Sequence, residues 1–202
     1  MPSRESKNIT QIESHSHLKY KICVSGAADT GHCAVGALEK TKALGAAIAK
    51  RGAVLVTGAT TGAPLWAAIG AKDAGGFVIG VSPASSELEH VKKYRLPIDY
   101  HDIIIYTGFG YSGRNLLLTR ASDAVITVCG RMGTLNEFTI AFEDEKPQGI
   151  LEGTGGLADQ IEELVKQAHR GNGFIAYDSD PHRLMDKVIA LIDDHKKDTS
   201  ND

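Results

Sequence analysis

The chain predicts a Rossmann-like, doubly wound α/β domain with a mostly parallel sheet of about seven strands and helices on both faces. Three observations carry this. Short apolar runs alternate with stretches of helical periodicity along nearly the whole length. Runs such as Ala53–Thr57 (AVLVT) and Ala124–Val128 (AVITV) are rich in β-branched residues and uninterrupted, as strands covered on both faces of a parallel sheet must be. Glycine-rich loops follow the strands, which is where open α/β sheets bind ligands.

Each element has its own signal. Residues 1–18 are polar and patternless and are expected to be a disordered tail, as are 197–202, leaving a single domain over 19–196. His15-Ser16-His17 in the first tail reads as solvated chain. Tyr20–Ser25 is the first strand, followed by a small-residue loop and a helix over Gly36–Arg51, with Leu44, Ala47 and Ile48 on one stripe and Gly52 as its stop. Ala53–Thr57 is the second strand; Pro64 suits the first position of a helix that runs to about Ala74. Phe77–Val81 is the third strand, and Ala84–Tyr100 reads as a loop with short apolar pieces. Strand Ile103–Thr107, helix Tyr111–Ala121, strand Ala124–Val128 and helix Thr134–Glu145 follow. Pro147 ends that helix, and Gly149–Leu151 begins a sixth strand. Leu157, Ile161, Leu164, Val165 and Ala168 mark a helix, Phe174–Tyr177 the last strand, and Asp180-Pro181 the cap of a final helix.

At 202 residues one domain with a well-buried core suffices. A net charge of -3 gives no electrostatic case for nucleic acid or an anionic membrane, and no apolar run approaches membrane-span length. Cys23, Cys33 and Cys129 are odd in number and lack metal-ligand spacing, so free thiols in a reducing, cytoplasmic setting are expected. None of the eight histidines forms a spaced cluster with cysteine or carboxylates, so no metal site and no resident cofactor are expected.

The stretch Arg120–Glu145 carries the chemistry. A buried strand stops at Cys129-Gly130-Arg131-Met132-Gly133 and a helical pattern follows at once. Free amides and the positive end of the helix dipole make such a turn a phosphate floor, here Gly130, Arg131, Met132, Gly133 and Thr134. The same letters, Thr134-Leu135-Asn136-Glu137, also spell a capping box in which Thr134 and Glu137 only satisfy backbone donors. The turn's place at the end of a strand weighs toward the phosphate reading.

Gly108-Phe109-Gly110-Tyr111-Ser112-Gly113 spells a dinucleotide fingerprint but follows the fourth strand rather than the first, and the next strand ends in Cys129-Gly130 without the acidic residue that holds a ribose. It is read instead as the loop that delivers Arg114 to the start of a helix beside the phosphate floor. A dinucleotide-dependent oxidoreductase is the third-ranked reading.

Gly113-Arg114-Asn115, the Gly130/Gly133/Thr134/Glu137 pattern, and Leu55-Val56-Thr57-Gly58 running on to Val78-Ile79-Gly80-Val81 together resemble the LOG (Lonely Guy) proteins, phosphoribohydrolases acting on cytokinin nucleotides. The resemblance covers about Tyr20 to Leu151. It implies Arg114 and Glu137 as a catalytic pair, Gly130–Thr134 as the 5′-phosphate site, and Ser25, Gly26, Gly58, Ala59, Thr60 and Gly113 around the nucleotide. It also implies a homodimer or homotetramer. Cys129 replaces the motif's proline, Arg131 its second glycine, and Asn115 a usual lysine; these departures bring the chain closer to relatives that also resemble the molybdenum cofactor carrier proteins. Cys129 is read as a structural substitute for that proline.

Two functions follow as expectations. The first is hydrolysis of the N-glycosidic bond of a nucleoside 5′-monophosphate, releasing base and ribose 5-phosphate, with Glu137 near the positive charge that builds on the ribose and Arg114 as clamp. The alternative is a non-catalytic carrier of a nucleotide or of a molybdenum-cofactor-like molecule on the same phosphate floor.

Overall fold

The structure, a computed structural model, describes residues 18–171 and 173–199. His15-Ser16-His17 lies outside the described residues. Seven strands form one parallel sheet: β1 (Lys21–Gly26), β2 (Val54–Thr57), β3 (Val78–Ser82), β4 (Ile103–Tyr106), β5 (Ala124–Val128), β6 (Gln148–Leu151) and β7 (Ile175–Asp178). Their order is β4-β3-β2-β1-β5-β6-β7. The chain builds outward from β1 on one side, then crosses over and builds outward from β5 on the other.

The helices are α1 (Ala37–Lys50), α2 (Ala63–Asp73), α3 (Glu87–Lys92), α4 (Gly110–Ala121), α5 (Met132–Glu143), α6 (Ile161–Ala168) and α7 (Pro181–Thr199). Successive side chains of a strand point to opposite faces, so β1 feeds two cores at once. Ile22 and Val24 join Leu44, Ile48, Leu55, Ala67, Leu184, Met185 and Ile192 under α1, α2 and α7. Cys23 joins Val56, Val81, Leu118, Val125 and Ala141 on the other face, beside a third cluster around Phe138, Ile150 and Ile161.

Three local differences from the sequence expectation have physical causes. Within the expected loop 84–100, Ser86 accepts a hydrogen bond from the Glu89 amide at 3.2 Å, and the Glu89 carboxylate accepts from the Ser85 amide at 2.7 Å. This capping pattern starts the six-residue α3, too short for periodicity to reveal. The last helix runs to Thr199, past the expected start of a tail at 197, with Lys196 and Lys197 in its final turn where the dipole favours cations. Strand β4 lies at the sheet edge, and its alternate residues Ile103 and Ile105 are 49% and 51% exposed rather than covered. Among the described residues no helix is long and apolar enough to cross a membrane.

Ile126 lies fully buried in β5, one of the two strands at the centre of the topology. Ile126→Ala is expected to cost about 2–5 kcal/mol in urea-induced unfolding. Ile105→Ala at the open edge should stay within about 0.5 kcal/mol of the parent.

Candidate functional site

The adjacency of β1 and β5 decides where the site lies. Ser25 pairs with Thr127 and Gly26 with Val128, so both strands end at the same level and their loops rise side by side. This is the switch point of the sheet, where the two halves of the fold diverge. A cleft of about 310 Å³ opens above it, walled by Ser25 and Gly26 from β1, Gly58 and Thr60 after β2, Arg114 on α4, and Thr134 and Glu137 on α5.

At its base Arg114 and Glu137 meet. The Arg114 guanidinium donates from Nη1 to Glu137 Oε1 at 3.1 Å, and Ser25 Oγ donates to Glu137 Oε2. With its amide nitrogen turned inward, Asn115 also donates to Oε1 at 2.9 Å. Both charged side chains are almost completely buried, at 6% and 8% exposure. Such a pair contributes little net stability but is costly to break, since removing either partner leaves a buried charge uncompensated. Burial pushes the Glu137 carboxyl above its ordinary value, opposed by the Arg114 charge and the Ser25 hydrogen bond. Folded Glu137 therefore holds its proton to higher pH than in the unfolded chain. Its stabilising share is fully present below the unfolded value and is lost as pH rises through the raised folded one. Among the described residues Arg114 Nε finds no hydrogen-bond partner, and it is closed off from solvent.

Arg114 reaches this position because residue 58 is glycine. A Cβ there would stand 2.1 Å from Arg114 Nη1. The helix α5 begins at Met132 with Arg131 as N-cap and no side-chain capping bond, so the Thr134/Glu137 capping box does not form. Thr134 instead sits 4% exposed at the cleft wall. The first-turn amides of α5 have no partner within the helix, and Gly133 and Thr134 of that turn line the same cleft. Gly130 holds φ at +102°, and a Cβ there would collide with the Thr134 side chain at 2.6 Å, so this glycine shapes the turn from behind.

Arg131 and Gly133 line the cleft as well, and Arg131 reaches Asp29 at 3.4 Å on its rim. Other expected residues stand back from the wall. The Met132 side chain is 76% exposed, Ala59 is buried behind the second loop at φ +51°, and Gly113 packs against Phe109. The sequence reading did not select Leu96, Pro64 or Tyr111, which give the cleft an apolar side, with the Arg114 guanidinium 5.9 Å from the Tyr111 ring centre. Pro64 lies in the first turn of α2, Tyr111 inside the G-x-G-x-x-G spelling at the start of α4 and Leu96 after α3, and these segments meet only in the fold. The G-x-G-x-x-G loop follows edge strand β4, and its amides are spent on the protein itself: Gly108 donates to Ala84 O at 2.8 Å and Gly110 to Pro83 O at 3.1 Å. No pyrophosphate cradle remains there.

Two expectations about cysteine need correction. Cys33 and Cys129 are not free thiols: they form a disulfide across 96 residues, with Cα atoms 5.6 Å apart. An odd cysteine count pairs none of them, but β1–β5 pairing brings their two loops together. Cys23 is free and buried, and burial pushes its thiol well up. Nor is Cys129 a stand-in for proline: its φ is +48°, which a proline ring cannot adopt. The expectation that histidine joins no metal-type cluster also fails in space, since His32, Cys33 and Cys129 present ligand atoms within 4.8 Å of one another.

Gly58→Ala is expected to leave the fold intact, at a cost below about 3 kcal/mol by thermal unfolding, because the guanidinium it meets is the end of a flexible side chain. Anion affinity, measured by titration calorimetry with AMP, should fall as far as in Arg114→Ala. Cys33→Ser should cost about 2–4 kcal/mol in denaturant unfolding under non-reducing conditions, through the freed 96-residue loop.

Comparison with known proteins follows the same geometry. The molybdenum cofactor binding protein of Rippkaea orientalis superposes with a TM-score of 0.72 at 30% identity, covering 88% of this chain and 99% of its own. The molybdenum cofactor carrier protein of Chlamydomonas reinhardtii superposes at 0.70 with 31% identity, covering 86% and 99%. A protein of Archaeoglobus fulgidus is 32% identical over 139 residues, 66% of this chain and 86% of its own length. The SLOG cluster4 family model matches residues 19–185, and the chain belongs to that family.

Proposed function

We propose that the chain binds a phosphorylated, nucleotide-sized molecule at the β1–β5 switch point and holds it without turning it over, with the molybdenum cofactor as the foremost candidate cargo. The observation that carries this reading is the Arg114 guanidinium on the cleft wall beside Arg131, Gly133 and Thr134 of the first α5 turn. A phosphate or pyranopterin oxygen would accept charge-assisted hydrogen bonds from that guanidinium. The first-turn amides of α5, the Thr134 hydroxyl and the Arg131 charge would take the anionic end. Leu96, Pro64 and Tyr111 would face the ring system.

The state of Glu137 favours holding over hydrolysis. Both of its oxygens already accept hydrogen bonds from the protein, so a carboxylate free to orient water is not presented. The proteins of R. orientalis and C. reinhardtii, which bind or carry the molybdenum cofactor, support the same choice at about 30% identity across nearly their full lengths.

Nucleoside 5′-monophosphate hydrolysis is the second reading. The buried Arg114–Glu137 pair on the cleft wall favours it, because ligand phosphate could draw the guanidinium away and release the carboxylate toward C1′. An assembly of two or four copies is part of the proposal; the exposed Leu116 and Leu117 of α4 are the apolar side chains a second copy would cover.

The test is to incubate the purified chain separately with AMP and with molybdenum cofactor released from a donor enzyme, then follow thermal unfolding and free base by chromatography. The expected result is stabilisation of about 2.7 kcal/mol at a hundredfold excess over Kd, lost in Arg114→Ala, with no base released. Base release from AMP that disappears in Glu137→Gln would replace the carrier with the hydrolase, and no stabilisation by either ligand would dispose of both.

A further inference from the structure

The strand pair that builds the cleft also builds a second constellation outside its wall. His32 and Cys33 stand on the loop between β1 and α1, and Cys129 on the turn between β5 and α5. Their ligand atoms lie within 4.8 Å of one another, with His32 Nε2 3.5 Å from Cys129 Sγ. The backbone holds them there independently of the disulfide. Cys129 N donates to Thr154 Oγ1 at 2.9 Å, and Ala158 N donates to Cys129 O at 2.9 Å. Ala34 N donates to Thr154 O at 2.9 Å, and Cys33 bridges to Gly155. The loop 154–158 thus ties both cysteine-bearing segments to one support, and reduction would leave the two thiols side by side.

We propose that the reduced Cys33/Cys129 pair and His32 form a binding site for one thiophilic cation of the zinc type, which the disulfide closes. Two thiolates and one imidazole are a soft-to-borderline donor set that suits zinc and rejects magnesium and calcium. Two sulfurs on a tetrahedral ion stand about 3.8 Å apart, given Zn–S bonds of about 2.3 Å. Cα atoms 5.6 Å apart allow that spacing by side-chain rotation alone. Cys129 is buried, Cys33 half-buried and His32 exposed, so the fourth position opens to solvent as in sites that keep a water or take a substrate group. Opening the site requires an external two-electron reductant, either a phosphine, which takes oxygen from water and leaves as its oxide, or a dithiol. The Cys33–Cys129 bond breaks as it takes up two electrons and two protons, and a dithiol is oxidised to its own disulfide. Metal binding then displaces the two thiol protons to solvent.

The experiment titrates cobalt(II), then zinc(II), into the full chain held reduced by a phosphine and freed of metal by a chelator. The expected result is one cobalt ion per chain with a thiolate-to-cobalt charge-transfer band and the visible bands of a tetrahedral ion, all removed by zinc. The oxidised chain should show neither. Cys33→Ser and Cys129→Ser should each lose tight binding, while His32→Ala should keep the thiolate band but release the ion more readily. In a parallel measurement, zinc should protect both cysteines of the reduced chain from alkylation. A reduced, folded chain without the charge-transfer band would overturn the proposal. So would a band that survives in the double serine variant, where only Cys23 remains, or a reduced chain that circular dichroism shows unfolded and zinc does not restore.

Discussion

The parallel pairing of β1 with β5 is the constraint on which the molecule's chemistry depends. These strands are about a hundred residues apart in sequence, yet their registers align so that Gly26 meets Val128. Three of the chain's notable contacts descend from that one alignment. Ser25 can reach Glu137 because the strand ends are level, Cys33 can reach Cys129 because the loops rise together, and His32 falls beside Gly130 at 3.3 Å. Loop closure over such a span is slow and entropically costly. It is secured by the fully buried Ile22, Val24, Val125 and Ile126, whose removal from water supplies the driving force.

Against that apolar frame the Arg114–Glu137 pair stands out as energetically unrewarding. Two desolvated charges seldom improve on a well-packed apolar pair, and here an arginine donor is left over. A fold gains nothing structural from that arrangement, whereas the proposed anion site would: the guanidinium is placed by Glu137, partly neutralised and buried before an anion arrives. Gly58 belongs to the same device, since any side chain there would push the guanidinium out of place.

Much of this could be read from the chain itself. The seven strands and their alternation with helices followed from periodicity, while the pairing of Arg114 with Glu137 followed from the resemblance to the LOG proteins carried by Gly130, Gly133 and Thr134. What stayed hidden is non-local. Leu96, Pro64 and Tyr111 join the cleft only through strand order, and the Cys33–Cys129 bond depends on which loops become neighbours. Local competition accounts for the rest: Arg131 displaces Thr134 as the start of α5, which frees Thr134 for the cleft. Cys129 adopts a left-handed conformation that its place in a proline-bearing motif gave no reason to expect.

The central claim is that Arg114 holds a phosphate-bearing ligand, and the small molecules that leave with the purified protein test it most directly. Denaturing the chain and identifying the released compounds by mass spectrometry should yield a phosphorylated compound from the parent and none from Arg114→Ala. Equal recovery from both, or a parent ligand without phosphate, would contradict the account.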